Sequence, residues 1–339
     1  MTAIVRRLPA GALFACLFVG LIHIVVSGWV VPHPVARESL RQRVIALTEH
    51  ARPSLLIAGD SRAENNIMPG VVAAQVGMPI ESVVNVAMVA CESSAVLAAY
   101  REFSERFAHE PIVVISVSLF SVNDRVTVPG YLNDEVLWSI GLVDRLRLAP
   151  LKRALSSTLL PERELKRRIA GWFRRSSPRA VPEQGFMGLA GDRCVDVTPE
   201  TVRDCIRRIN RGWFNDPVID GIRWRQLEAD LRSLIQAGVQ VVIFDAPEHP
   251  AFPQGTDGTD NGAANARFHE QLIGLCHRID VPILCYGTDW FGDRDPDALY
   301  YDLLHLNRRG AALLSERVGQ DLSILMQSGR LRSSTPRTR

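Results

Sequence analysis

The chain has 339 residues, of which 47% are hydrophobic, 22% charged and 7% aromatic, proportions of a folded globular protein rather than a disordered or collagen-like one. Its 39 basic and 37 acidic side chains leave a formal charge of +2, too small for the basic field that nucleic-acid binding needs. The 6 cysteines, none in C-x-x-C spacing, exclude a disulfide-stapled miniprotein and a zinc knuckle.

Between positions 8 and 36 there is no Asp, Glu, Lys or Arg, and the run LPAGALFACLFVGLIHIVVSGWVV is long enough to cross the ~30 Å hydrocarbon layer as one helix. Arg6 and Arg7 precede it, which places the amino terminus in the cytoplasm and exports the body; Arg37, Arg41 and Arg43 beyond the span oppose that bias. A cleaved signal peptide would show an apolar region of about 7–15 residues followed by an A-x-A-like site. No convincing site follows, so residues 1–36 read as an uncleaved signal anchor. The remainder carries equal numbers of basic and acidic side chains. Outside the cytoplasm disulfides can form; Cys194 with Cys205 is the first candidate pair and Cys276 with Cys285 the second. Four reduced, inert thiols are the alternative.

Five short runs rich in Val and Ile, at Leu55–Ala58, 83–87, 112–117, 239–244 and 283–286, predict buried parallel strands. Helical patterns at 94–108, 224–237 and 261–278 alternate with them, and the last, 308–326, repeats Ala311, Leu314 and Val318 at helical spacing. This alternation predicts an α/β fold, a doubly wound five-stranded parallel sheet with helices on both faces, whose ligands bind beyond the carboxyl ends of the strands. The stretch 120–223 is far longer than the dozen or more residues a parallel crossover needs. It reads as a basic, mostly helical insertion into a domain made of 37–119 and 224–326. Within it, residues 144–180 hold eleven basic against three acidic side chains, a surface for anionic head groups or an acidic polymer, or a solvated helix face. The polar end, 327–339, reads as a disordered tail. No G-x-G-x-x-G, Walker loop, H-E-x-x-H or G-x-S-x-G occurs, so nucleotide, zinc-protease and standard α/β-hydrolase readings have no local support.

The first strand runs straight into Gly59-Asp60-Ser61, which sets a hydroxyl at the mouth of the expected crevice. Serine is a weak nucleophile until a base takes its proton. After the fifth strand comes Tyr301-Asp302-Leu303-Leu304-His305. A carboxylate three residues before an imidazole can hold one ring nitrogen while the other faces outward, the tautomer control on which a Ser-His-Asp triad depends. Ser61, His305 and Asp302 are therefore the candidate nucleophile, base and orienting acid, drawn to one edge of the sheet from opposite ends of the chain.

With a Gly-Asp-Ser block near its start and an Asp-x-x-His block near its end, the sequence resembles the SGNH (GDSL-type) hydrolase superfamily over residues 52–124 and 238–322. The resemblance implies a three-layer α/β/α, flavodoxin-like fold and an oxyanion hole. The hole would use the Ser61 amide, an amide in the block 85–91 and an asparagine in a Gly-x-Asn-Asp block. Here the last block is Ser121-Val122-Asn123-Asp124, so Asn123 fits, while the family's glycine in 85–91 falls at Ala90 or Cys91. Alanine keeps the backbone donor but disfavours positive φ, and a lost donor costs ~10²–10³ in turnover. Asn123 also has a turn-forming reading. Asp60, Arg62 and His249 are candidates to line the crevice and Glu64, like Arg62, to contact substrate, with surface pairing of Arg62 and Glu64 and a proline-fixed loop at His249 as the alternatives. His269 receives no role.

The expectation is a membrane-anchored enzyme, its catalytic domain periplasmic or extracellular. It acts as an esterase or O-acyltransferase through an acyl-serine intermediate, without cofactor or metal. A single-span anchor with a large insertion resembles family members that modify cell-envelope polysaccharides, so its substrate partner is expected to be acetylated carbohydrate. A lipid or thioester hydrolase and a non-catalytic polysaccharide-binding module are the competing readings.

Overall fold

A computed structural model of the chain describes residues 38–89, 91–125, 183–188, 194–212 and 217–332. The expected span at 8–36, the basic run at 144–180 and the tail from 333 onward lie outside those residues. Among the described residues no helix is long and apolar enough to cross a membrane.

Five strands, β1 (Leu55–Ala58), β2 (Val83–Asn85), β3 (Ile112–Ser116), β4 (Gln240–Asp245) and β5 (Ile283–Cys285), form one parallel sheet in the order β2-β1-β3-β4-β5. The helices are α1 (Glu38–Leu47), α2 (Ser61–Asn66), α3 (Pro69–Val76), α4 (Ser93–Phe103), α5 (Leu119–Val122), α6 (Pro199–Gly212), α7 (Ile222–Gln236), α8 (Ala251–Thr256), α9 (Asp260–Arg278) and α10 (Arg308–Gln327). Every position of β1, β2 and β3 is buried, because both faces of the sheet are covered. That is why these strands read as unbroken apolar runs rather than as alternation.

Successive side chains point to opposite faces. Leu56, Val84, Val113 and Ile243 meet α1, α4, α7 and α9 in one core, while Ile57, Val83, Val114 and Phe244 meet α2, α3 and α10 in the other. In α10, Ala311, Leu314, Val318 and Leu322 are buried at three- and four-residue steps, the stripe of an amphipathic helix. The chain passes from β1 outward to β2 and then back across to β3, so the carboxyl ends of β1 and β3 flank a topological switch point, where a crevice opens in sheets of this order.

Two expectations change. The tail is not free from 327: Leu331 is buried, and the Arg332 amide donates to Gln240 Oε1 at 2.6 Å while Gln240 Nε2 donates back to Arg332 O at 3.0 Å. One buried leucine and two reciprocal bonds suffice to fold the chain back on the start of β4, and composition does not report them. Neither expected disulfide is present: Cys194, Cys205, Cys276 and Cys285 are free thiols.

Candidate active site

Ser61 is placed by three consecutive residues with different tasks. Gly59 has φ +113°, and a Cβ there would lie 2.5 Å from Ser116 O and 2.8 Å from Ser116 N, so only glycine lets the end of β1 pass this close to β3. Asp60 then caps α2: its Oδ1 accepts from the Arg62 amide at 3.0 Å and from Ser116 Oγ at 3.1 Å, and its Oδ2 accepts from Ser118 Oγ at 2.7 Å. Expected in the crevice, Asp60 is instead buried with its carboxylate bound to the protein's own donors. Ser61 follows as the first residue of α2, where backbone amides have no intrahelical acceptor.

Asp302 and His305 sit in a narrow loop before α10. Its base is an antiparallel bridge between Tyr300 and Leu306, extended by the Asn307 amide donating to Leu299 O at 3.0 Å and the Tyr301 amide donating to His305 O at 2.8 Å. Asn66, at the end of α2, ties this base to the nucleophile's helix by accepting from the Leu306 amide at 2.9 Å. Within the loop, Asp302 Oδ1 accepts from the amides of Leu304 and His305 at 2.8 and 2.9 Å.

The side chains then form a relay. His305 Nδ1 lies 3.0 and 3.1 Å from the two carboxylate oxygens of Asp302, and His305 Nε2 lies 2.9 Å from Ser61 Oγ. Burial opposes ionisation of Asp302, but the hydrogen bond and charge of His305, with the two loop amides, outweigh it and hold the carboxyl below its ordinary value. An ionised carboxylate only accepts. His305 Nδ1 must therefore carry the proton, which leaves the lone pair of Nε2 facing the serine hydroxyl.

The other predicted residues take structural places. Arg62, expected at the crevice, is buried, with Nη1 3.3 Å from both Ala246 O and Glu248 Oε1. His249 is also buried: Nδ1 accepts from the Ala251 amide at 3.1 Å, so Nε2 carries the hydrogen directed at Asp297 Oδ1, 3.0 Å away. Burial lowers the pKa of His249 against the pull of Asp297, in keeping with a neutral ring that holds the 249–251 turn. Asn123 is buried just after α5, its Oδ1 accepting from the amides of Arg125 and Val218, each at 3.0 Å. Its neighbour Asp124 accepts from the amides of Ile222 and Arg223 at 2.7 and 2.9 Å. Together they close the neck at which the insertion leaves and rejoins the sheet. Ala90 lies outside the described residues.

Sequence reasoning named Glu64 beside the nucleophile but missed its burial against Arg43, 2.8 Å away, and it missed Asn85, whose Nδ2 donates to Ala63 O and Ile67 O at 2.9 and 3.0 Å. No period marks such residues; only the closeness of Glu64 and Asn66 to Ser61 in sequence hints at them. A second acid–imidazole pair, Asp245 with His269 at 2.6 Å, follows β4. It lacks a matching nucleophile, because Cys285 Sγ contacts the Asp245 carboxylate at 3.4 Å rather than the ring. Burial and Asp245 also push that thiol up to about 12, which disfavours its thiolate. Among the described residues no group of three or more His, Cys, Asp or Glu side chains could hold a metal ion. Beside Asp302 opens a cavity of about 670 Å³, lined by Tyr301, Asp302 and Leu303 and by residues of 194–208.

No model of a known protein family matches the chain, and no curated protein matches it. Among solved structures it is similar to LAE5, an alpha/beta hydrolase enzyme from the metagenome of Lake Arreo, Spain, at 12% identity and a TM-score of 0.36, over 84% of this chain and 100% of that one. A likeness of that size carries no argument about chemistry, and the functional reading rests on the site itself.

Proposed function

We propose that the chain is an SGNH-type serine esterase or O-acyltransferase, held to a membrane by residues 8–36 with its catalytic domain outside the cytoplasm. The observation that carries the reading is the unbroken relay from Ser61 Oγ through His305 to Asp302, set at the switch point of the sheet. In this reaction Ser61 Oγ attacks an ester carbonyl as His305 Nε2 takes the hydroxyl proton, and Asp302 stabilises the imidazolium at Nδ1. The Ser61 amide, with that of Ala90, supplies donors to the oxyanion. Collapse of the tetrahedral intermediate breaks the ester C–O bond, His305 returns the proton to the departing alcohol, and the acyl group remains on Ser61. Water or a sugar hydroxyl then takes the acyl group by the reverse sequence, with His305 again as base.

Acetylated cell-envelope carbohydrate is the proposed substrate. The test incubates the full chain with an O-acetylated polysaccharide and follows free acetate against acetyl transfer to an added acceptor. Either product, absent in Ser61→Ala, supports the proposal; a folded wild type that forms neither opposes it and favours a binding module. A lipid or thioester substrate is the second reading, favoured by Val89 and Met187, which are 50% and 49% exposed and both held through their backbone amides to Glu64, one turn past Ser61. Rates rising along a series of p-nitrophenyl esters from acetyl to longer acyl chains select that substrate class.

A further inference from the structure

Met88 and Val89 are fastened on either side of the nucleophile in sequence. The Met88 amide donates to Gly59 O at 3.0 Å, two residues before Ser61. The Val89 amide donates to Glu64 Oε2 at 3.0 Å, three residues after it, and the Cys91 amide closes the turn on Met88 O at 3.0 Å. Three residues along a helix is about one turn, so Ser61 and Glu64 share a side of α2. Glu64 itself is gripped from behind: Arg43 Nη1 holds its Oε1 at 2.8 Å, Arg43 Nε donates to Asn85 O at 3.1 Å, and Arg43 Nη2 donates to Gly185 O. Gly185 has φ +97° and is packed against Asn85 O, so the 183–188 segment backs the end of β2 that leads into the turn.

Both members of the Glu64–Arg43 pair are almost fully buried, a costly placement where removal of one charge leaves the other uncompensated. A surface that needed only stability would be served as well by apolar residues of similar volume. What apolar residues could not do is accept the Val89 N–H. Glu64 also sits near enough to His305 to interact with its charge.

We infer that Glu64 is a positioning residue for acyl transfer: its Oε2 fixes the Val89 amide against the nucleophile's helix, with Arg43 holding the carboxylate in place. The inference rests on the acyl-serine reading and adds the residue that sets the distance between nucleophile and turn. Glu64→Gln and Glu64→Asp separate its two properties. Glutamine keeps one oxygen at the same reach for the Val89 amide, but its NH₂ group then faces Arg43 Nη1, which leaves the buried guanidinium without its anion and lowers stability. Aspartate keeps the charge but shortens the side chain by about 1.5 Å, one C–C bond, and a backbone amide cannot follow it as the flexible Arg43 stem can.

The experiment measures the rate of labelling of the full chain by a fluorophosphonate, kcat and KM on p-nitrophenyl acetate, and melting temperature for wild type and both variants. Glu64→Gln is expected to melt lower, because Arg43 loses its buried anion, while its folded fraction labels within a few-fold of the wild-type rate. Glu64→Asp is expected to fall by about 10²-fold, the effect of an ångström-scale misplacement, in kcat rather than KM and with a melting temperature above that of the assay. Two wild-type-like variants, or the reverse order with Gln slow and Asp fast, overturn the inference. Should Glu64→Asp fail to fold, a Glu64→Gln that is folded yet strongly slowed overturns it equally. A wild type that takes no label opposes the acyl-serine reading instead, so the two failures are distinct.

Discussion

Ser61 Oγ lies 2.9 Å from His305 Nε2 across a separation of 244 residues. That contact is set by two fixed supports rather than by the side chains alone: the glycine-permitted approach of β1 to β3 beneath Ser61, and the Tyr300–Leu306 bridge tied to Asn66 beneath His305.

Asp302→Asn tests the tautomer control. An asparagine can still accept the Leu304 and His305 amides through its oxygen, so the loop keeps its shape. Its NH₂ group then faces His305 Nδ1, and the ring shifts its proton to Nε2, where it can no longer accept from Ser61. The expected loss in kcat is about 10⁴-fold, as in triads with the same change, with little change in melting temperature. Stopped-flow or steady-state rates on p-nitrophenyl acetate measure it.

Gly59→Ala tests the close approach of the strands. The added Cβ meets Ser116 backbone at 2.5 and 2.8 Å in a φ region that L-residues avoid, and backbone strain of this kind costs about 1–3 kcal/mol before the collision is relieved. Urea unfolding is expected to show a lower midpoint, and activity is expected to fall as Asp60 and Ser61 are displaced.

Arg62→Met leaves Glu248 buried without its cation, at a cost of about 3–5 kcal/mol. Arg62→Met combined with Glu248→Leu removes both charges and is expected to recover most of that loss, with Ser61 labelling retained, because neither side chain faces the hydroxyl. A double variant that folds but cannot be labelled would return Arg62 to the reaction.

Asp230 gives stability a pH dependence apart from the relay. It is buried on α7, accepting from Gln226 Nε2 at 2.7 Å and Ser93 Oγ at 2.9 Å, and burial pushes its carboxyl up to about 6 despite those bonds. The folded state therefore holds this proton more tightly than the unfolded chain. The stability it confers is fully present below the unfolded pKa near 3.9 and is lost as pH rises through about 6. Asp230→Asn lacks that loss, so its stability relative to wild type is expected to increase by at most about 3 kcal/mol between pH 4 and 7.5. Urea denaturation at the two pH values measures the change, and an unchanged difference contradicts it.

The sheet was legible because strands buried on both faces must be written as Val- and Ile-rich runs, and all five lie where those runs fall. The relay was legible because Ser61 and His305 each follow a strand that ends at one edge. Helix α2 was not: its residues are Ser, Arg, Ala, Glu, Asn and Asn, yet Arg62 through Asn66 are all buried. They are held by specific partners such as Glu248, Arg43 and Leu306 that come from distant parts of the chain. Polar burial of that kind has no period to detect. For the same reason Arg62 and His249 read as crevice residues from sequence and proved to be internal fasteners, and Asn123 showed itself as the closure of the insertion's neck.

The central claim is that the Ser61 hydroxyl is an activated nucleophile. Its most direct measurement is fluorophosphonate treatment of the full chain at neutral pH, with the adduct located by peptide mass spectrometry. The account predicts a single phosphonylated site at Ser61, lost in Ser61→Ala and strongly slowed in His305→Ala. A folded chain that takes no label, or one labelled equally well without Ser61, contradicts it.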